Sequence, residues 1–153
     1  MKLFGRSKGI PQDNNYKKTV LFVCVENAGR SQMAEGFFLR YSPKNYEPLS
    51  AGTSPTSIVN PLALEVMREV GIDISKQRPK IITEDMIRQS THRVNMGCMD
   101  KNSCPTLFLH NVIDWDIAKD KPVEKVREIR DLIEVRIKEL VAGLIQTNQQ
   151  VNT

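Results

Sequence analysis

Apolar and polar positions follow two rhythms along this chain. Lys18–Cys24 is an almost unbroken apolar run rich in β-formers, Thr19-Val20-Leu21-Phe22-Val23-Cys24, as expected of a parallel strand covered on both faces. From Arg30 the spacing becomes helical, with Met33, Ala34, Phe37 and Phe38 on the core side as far as about Tyr41, and Pro43 stops the helix. Tyr46–Ala51 reads as a second strand, followed by a loop at Gly52-Thr53-Ser54-Pro55-Thr56. Asn60-Pro61 opens a helix, Asn as its cap and Pro at its first position, and Gly71 stands where a C-terminal glycine belongs. Leu62, Leu64, Val66, Met67 and Val70 give its buried side.

Ile72–Ser75 turns the chain toward Arg78-Pro79-Lys80, and Thr83 caps a short helix to about Gln89. His92–Met96 is a third strand and Asn111–Ile113 a fourth, with a long loop from Gly97 to His110 between them. Pro122 lies in the first turn of the last helix. There Val126, Ile129, Ile133, Ile137, Leu140, Val141 and Leu144 recur at helical spacing to about Ile145. The order β-α-β-α-α-β-β-α predicts an α/β fold, a doubly wound four-stranded parallel sheet with helices on both faces. Its ligand site belongs at the carboxyl ends of the strands. A single domain is expected over 18–145. Residues 1–17 read as a flexible polar extension, and 146–153 as a polar tail that frays.

Composition narrows the classes. A chain of 153 residues supports one domain with a proper core, and 40% hydrophobic with 26% charged residues is ordinary for a soluble globular protein. The net charge of +4 suits an anionic substrate. The cations are scattered among Asp and Glu, without the basic run or interleaved aromatics of a nucleic-acid surface. No stretch approaches a membrane span, and residues 1–18 lack the apolar core of a signal peptide, so a cytoplasmic location is expected. In that reducing compartment the three cysteines read as catalytic or redox-active, not as structural staples.

The chemistry concentrates where the first strand delivers Cys24, in Cys24-Val25-Glu26-Asn27-Ala28-Gly29-Arg30-Ser31. A loop of this length between a strand and a helix can curl its backbone N–H groups of residues 25–30 around an anion at the helix N-terminus. Arg30 can grip two oxygens of a tetrahedral oxyanion, positive surroundings favour the Cys24 thiolate, and Ser31 can hydrogen-bond the sulfur. Asn27 and Gly29 suit unusual backbone angles. The competing reading is a buried cysteine at a strand end with Arg30 on the helix surface. Cys98 and Cys104 have alternatives too: a metal pair, for which only His92 and His110 stand nearby, or inert loop thiols.

The run Cys24–Glu35 resembles the low-molecular-weight protein tyrosine phosphatase superfamily, and within it the thioredoxin-coupled arsenate reductases. The similarity extends from about Thr19 to Leu140, through Ser50-Ala51-Gly52-Thr53, Asn60-Pro61, Ile72-Asp73-Ile74-Ser75, Met96-Gly97-Cys98, Cys104-Pro105 and Asp114-Trp115. The resemblance implies reduction of arsenate to arsenite, for arsenic detoxification, by a thiol relay. In it Cys24 attacks arsenate held by the loop and Arg30. Cys98 then attacks Cys24 and releases arsenite, Cys104 attacks Cys98, and thioredoxin reduces the resulting disulfide. It implies arsenate as substrate, phosphate or sulfate as competing anions, and no resident cofactor.

Two departures from the family pattern stand out. The loop Trp115-Asp116-Ile117-Ala118-Lys119-Asp120-Lys121-Pro122 is about two residues short and lacks the Asp-Pro that carries the family's general acid. Asp120 is the first candidate for that acid and Asp116 the second, although a carboxylate just before a helix also serves as a cap. Lys80 occupies a position where some relatives have an Asp that, with Asn27-, Glu35- and Ser50-type residues, holds a monovalent cation. Its ammonium can stand in for that ion, so no metal is expected. The alternatives to the reductase are a phosphatase acting on phosphotyrosine or small phosphate esters, and a non-catalytic oxyanion-binding module.

Overall fold

The computed structural model describes residues 16–97, 102, 104–109, 111–117 and 123–151. Four parallel strands, β1 (Lys18–Cys24), β2 (Tyr46–Gly52), β3 (Ser90–Asn95) and β4 (Ile113–Asp114), line up in the order β2-β1-β3-β4. The chain winds from β1 outward to β2, then crosses back to β3 on the other side of β1. The carboxyl end of β1 is therefore the switch point of the sheet, where neighbouring connections part and leave a crevice. Cys24 is the last residue of β1.

Alternate residues of β1 feed two cores. Val20 and Phe22 join Val94 of β3 against α1 (Arg30–Tyr41), α2 (Pro61–Glu69) and α4 (Val123–Val151), through Phe37, Phe38, Val66, Met67, Ile133 and Ile137. Leu21 and Val23 point the other way and join Ala51, Ile87 of α3 (Glu84–Gln89) and Leu107 of a short 3-10 turn. Both faces are covered, and the four central residues of β1 are fully buried.

Local chemistry places the helix ends. The Asn60 carboxamide accepts the Leu62 N–H at 2.9 Å, and the Thr83 hydroxyl accepts that of Met86 at 3.2 Å. After α2, Gly71 takes φ +79°, which a Cβ would disfavour. The N–H groups of Gly71 and Ile72 then return to the carbonyls of Arg68 and Met67, the double closure of a Schellman motif.

Three boundaries differ from the sequence expectation. β3 starts at Ser90, because Ser90 closes α3 and pairs with Thr19 in the same stroke. Arg93 makes this tight join tolerable, its buried guanidinium donating to the carbonyls of Ile87 and Ser90. β4 is the two-residue strand Ile113–Asp114 in place of Asn111–Ile113. The last helix runs on to Val151, past the end expected near Ile145. No Gly or Pro interrupts residues 146–151, and Thr147 back-bonds to the Gly143 carbonyl at 3.0 Å. Among the described residues, no helix is long and apolar enough to cross a membrane.

Candidate active site

The loop after β1 is built by where its carbonyls go. Val25 O accepts the Ser54 N–H, Glu26 O that of Thr56, and Ala28 O that of Asn60. Asn27 O accepts the Gln32 side-chain amide at 2.8 Å. A trans peptide unit points its oxygen and the following N–H in opposite directions. Four oxygens held by the surrounding frame therefore turn the N–H groups of Glu26, Asn27, Ala28 and Gly29 to the inside of the loop. One of these lands on the cysteine sulfur: Asn27 N donates to Cys24 Sγ at 3.1 Å.

Asn27 makes this curl possible. It alone among the described non-glycine residues has a positive φ, +51°, which asparagine tolerates better than most residues. Its side chain is clamped at both atoms, Nδ2 donating to Ser31 Oγ at 2.7 Å and Oδ1 accepting the Lys80 N–H at 2.8 Å. The amide can only donate to Ser31, so the Ser31 oxygen has an acceptor site filled and its proton free for Cys24 Sγ, 2.9 Å away. The sulfur thus faces two donors that favour its thiolate form.

Helix α1 starts at Arg30 behind Gly29, with no side-chain cap and no acidic residue in its first turn. Its positive end is left uncompensated by its own residues, the condition that attracts an anion. The Arg30 guanidinium is aimed by two carbonyls. Nη1 donates to Met96 O at 3.1 Å and Ile117 O at 2.8 Å, which accounts for both of its protons. The edge formed by Nε and Nη2 has no partner among the described residues, and that edge is the bidentate face for an oxyanion.

Residues 19–151 match the low molecular weight phosphotyrosine protein phosphatase family. The chain belongs to this family. An arsenate reductase of Staphylococcus aureus (strain bovine RF122 / ET3-1) is 37% identical over 125 residues, 79% of this chain and 94% of that protein. Among solved structures, a thioredoxin-dependent arsenate reductase of Corynebacterium glutamicum superimposes with a TM-score of 0.73 at 37% identity, over 86% of this chain and 63% of that one. The YwlE arginine phosphatase of Geobacillus stearothermophilus gives a TM-score of 0.76 at 27% identity, over 89% of this chain and 97% of that one.

Under the phosphatase-family loop lies Glu35, 9% exposed, with Ser50 Oγ donating to it at 3.2 Å. Burial raises its carboxyl above the usual range, and the Lys80 charge and the Ser50 hydroxyl offset part of that rise. Lys80 thus acts on this carboxylate as a cation, while its Nζ donates to the Arg78 carbonyl at 2.8 Å. Asn27, Glu35, Ser50 and Lys80, which the family resemblance had grouped, are linked here by the Lys80 N–H on Asn27, the Ser50 hydroxyl on Glu35 and the Lys80 charge acting on Glu35.

The other expected site residues divide. Cys24, Val25, Glu26, Asn27, Ala28, Gly29, Arg30 and Ser31 form the loop and its helix junction. Cys104 is half-buried and packs against the second core, so it lies on the α3 side of the sheet. Cys98 and Asp120 lie outside the described residues. Asp116 is exposed, between the buried Trp115 and Ile117.

Several contributors were not legible as site residues. Gln32 is fully buried and braces the loop, and Gln77 Nε2 holds Gln32 in turn at its Oε1 and its main-chain oxygen. A glutamine amid the apolar core face of α1 was the available signal. A Cβ on Gly52 would lie 2.4 Å from Val25 O, so only glycine lets β2 pack so near the loop. Gly97, at φ +87°, would bring a Cβ to 2.8 Å from Trp115 O and 2.9 Å from Ile117 N. Met96 and Ile117 contribute only main-chain oxygens.

Proposed function

We propose that this chain reduces arsenate to arsenite by a cysteine relay recycled by thioredoxin, as an enzyme of arsenic detoxification in the cytoplasm. The observation that carries the reading is the Cys24 sulfur, held by Asn27 N–H and Ser31 inside a loop whose N–H groups turn inward and which ends at Arg30, a guanidinium anchored through Nη1 alone. The arsenate reductases of S. aureus and C. glutamicum, both 37% identical to this chain, support the choice of oxyanion and, for the second, of reductant.

In this reading the Cys24 thiolate displaces a hydroxyl from arsenate as water, leaving a sulfur–arsenic bond. Arg30 holds two arsenate oxygens, and the N–H groups of residues 25–30 hold the rest. A second thiolate, Cys98, attacks Cys24 sulfur; the sulfur–arsenic bond breaks with its electron pair on arsenic, which leaves as arsenite. The two electrons come from two thiols becoming one disulfide. Cys104 then attacks Cys98, frees Cys24, and the Cys98–Cys104 disulfide is returned to dithiol by thioredoxin. Asp120, with Asp116 as second candidate, protonates the departing oxygen. Lys80 supplies the positive charge beneath the loop. Phosphate and sulfate, tetrahedral like arsenate, compete for the same cradle.

A phosphatase is the second reading, favoured by the family match and the YwlE arginine phosphatase neighbour. One assay separates the two. Arsenate-dependent NADPH consumption is followed with thioredoxin and its reductase, for the wild type and Cys98→Ser. Turnover that disappears in the variant is the expected result. No arsenate turnover, with para-nitrophenyl phosphate hydrolysis that survives Cys98→Ser, would overturn the relay.

A further inference from the structure

Arg30 can present its open edge to an oxyanion only if Met96 O and Ile117 O stand at the right separation. These carbonyls belong to different segments, one leaving β3 and one leaving β4, and neither strand end holds the other by strand pairing beyond Asn95 and Asp114. Asn95 sits at this join and is 3% exposed. Its Nδ2 donates to Asp114 Oδ1 at 3.0 Å, its Oδ1 accepts the Gly97 N–H at 3.3 Å, and its main-chain oxygen accepts the Trp115 N–H at 2.9 Å. The Gly97 bond fixes the chain just after Met96. The Trp115 bond fixes the chain just before Ile117, whose own N–H returns to Trp115 O at 3.0 Å.

We propose that Asn95 is the positioning residue for Arg30: through Asp114, Gly97 and Trp115 it sets the spacing of the Met96 and Ile117 carbonyls, and so aims the guanidinium at the oxyanion. Asn95 does not touch the reacting atoms. The proposal rests on reading Arg30 as an oxyanion ligand, but not on arsenate being turned over. Asparagine suits the task because its carboxamide offers a donor and an acceptor at once. Aspartate in its place keeps the acceptor for Gly97 and sets a carboxylate against that of Asp114. Serine reaches too short a distance to hold both partners.

The test measures the affinity of the reduced full-length chain for inorganic phosphate by titration calorimetry, beside its thermal midpoint. Asn95→Asp is expected to weaken phosphate binding about 10-fold or more, the scale of loss when an anchoring group is misplaced. The exchanged pair Asn95→Asp with Asp114→Asn restores a donor opposite an acceptor and is expected to return the affinity to within about 2-fold of wild type. In an Arg30→Lys background, which lacks the fork, Asn95→Asp is expected to change the affinity no further. Phosphate affinity within about 2-fold of wild type in Asn95→Asp would overturn the proposal. So would an exchanged pair that recovers the thermal midpoint without the affinity. If Asn95→Asp does not fold, Asn95→Ser is measured against the same limits. Loss of arsenate turnover in the wild type with the phosphate pattern intact would sink the reductase reading alone.

Discussion

Replacing Asn27 tests the construction of the loop most directly. Alanine removes two side-chain hydrogen bonds from a fully buried position, the one to Ser31 Oγ at 2.7 Å and the one from the Lys80 N–H at 2.8 Å. Each is worth about 1 kcal/mol net. Alanine must also adopt φ +51°, which costs roughly 1 kcal/mol without a side chain that tolerates it. The expected loss is therefore about 3 kcal/mol. Asn27→Gly loses the same two bonds but escapes the dihedral penalty, at a smaller cost in unfolded-chain entropy. It should be less damaging than alanine by up to about 1 kcal/mol. Urea denaturation of the two variants and wild type measures both quantities. Alkylation of Cys24 by iodoacetamide, in a background lacking Cys98 and Cys104, reads the functional consequence. Without Asn27 to fill the acceptor site of Ser31, the pH profile of alkylation should move to higher pH in both variants. Equal stability of all three proteins, or an unmoved profile, would refute the clamp.

Two further outcomes follow from neighbouring geometry. Gly97→Ala places a Cβ at φ +87° against backbone atoms 2.8 and 2.9 Å away. It should cost more than about 2 kcal/mol in urea unfolding and weaken phosphate binding as well, since the atoms displaced flank Ile117 O. Glu35 has its carboxyl raised above 4.5, first by burial. The folded state holds that proton more tightly than the unfolded chain, so this contribution to stability is complete below 4.5 and fades as pH rises through the folded value. Glu35→Gln keeps an acceptor for Ser50 and should flatten that fall, with wild type and variant converging at low pH in denaturant midpoints. A wild-type midpoint that rises faster than the variant's across this window would reverse the assignment.

Much of the architecture was legible because local signals agreed with the hydrophobic pattern. The apolar run of β1, Asn60-Pro61, Gly71 and Thr83 each act within a few residues, through capping bonds or backbone angles that one side chain decides. The loop was legible for the same reason, since Cys24, Asn27, Arg30 and Ser31 lie within one strand–helix turn. Boundaries resting on tertiary pairing were less so. β4 is only two residues, and its place is set by β3, which no pattern within residues 111–114 reveals.

The sequence by itself determined the cysteine at the strand end, the arginine at the helix start and the fold that brings the two together, because side-chain chemistry at fixed spacing specifies all three. Tertiary structure decided how that arginine points. Its two acceptors lie 66 and 87 residues away and are main-chain oxygens, which every residue type carries alike. The same holds for the frame that turns the loop inside out, where Ser54, Thr56 and Asn60 contribute only N–H groups. Backbone groups leave no trace in composition. They act through position, and position at that precision exists only once the strands, the crossover helices and the cores on both sheet faces have closed together.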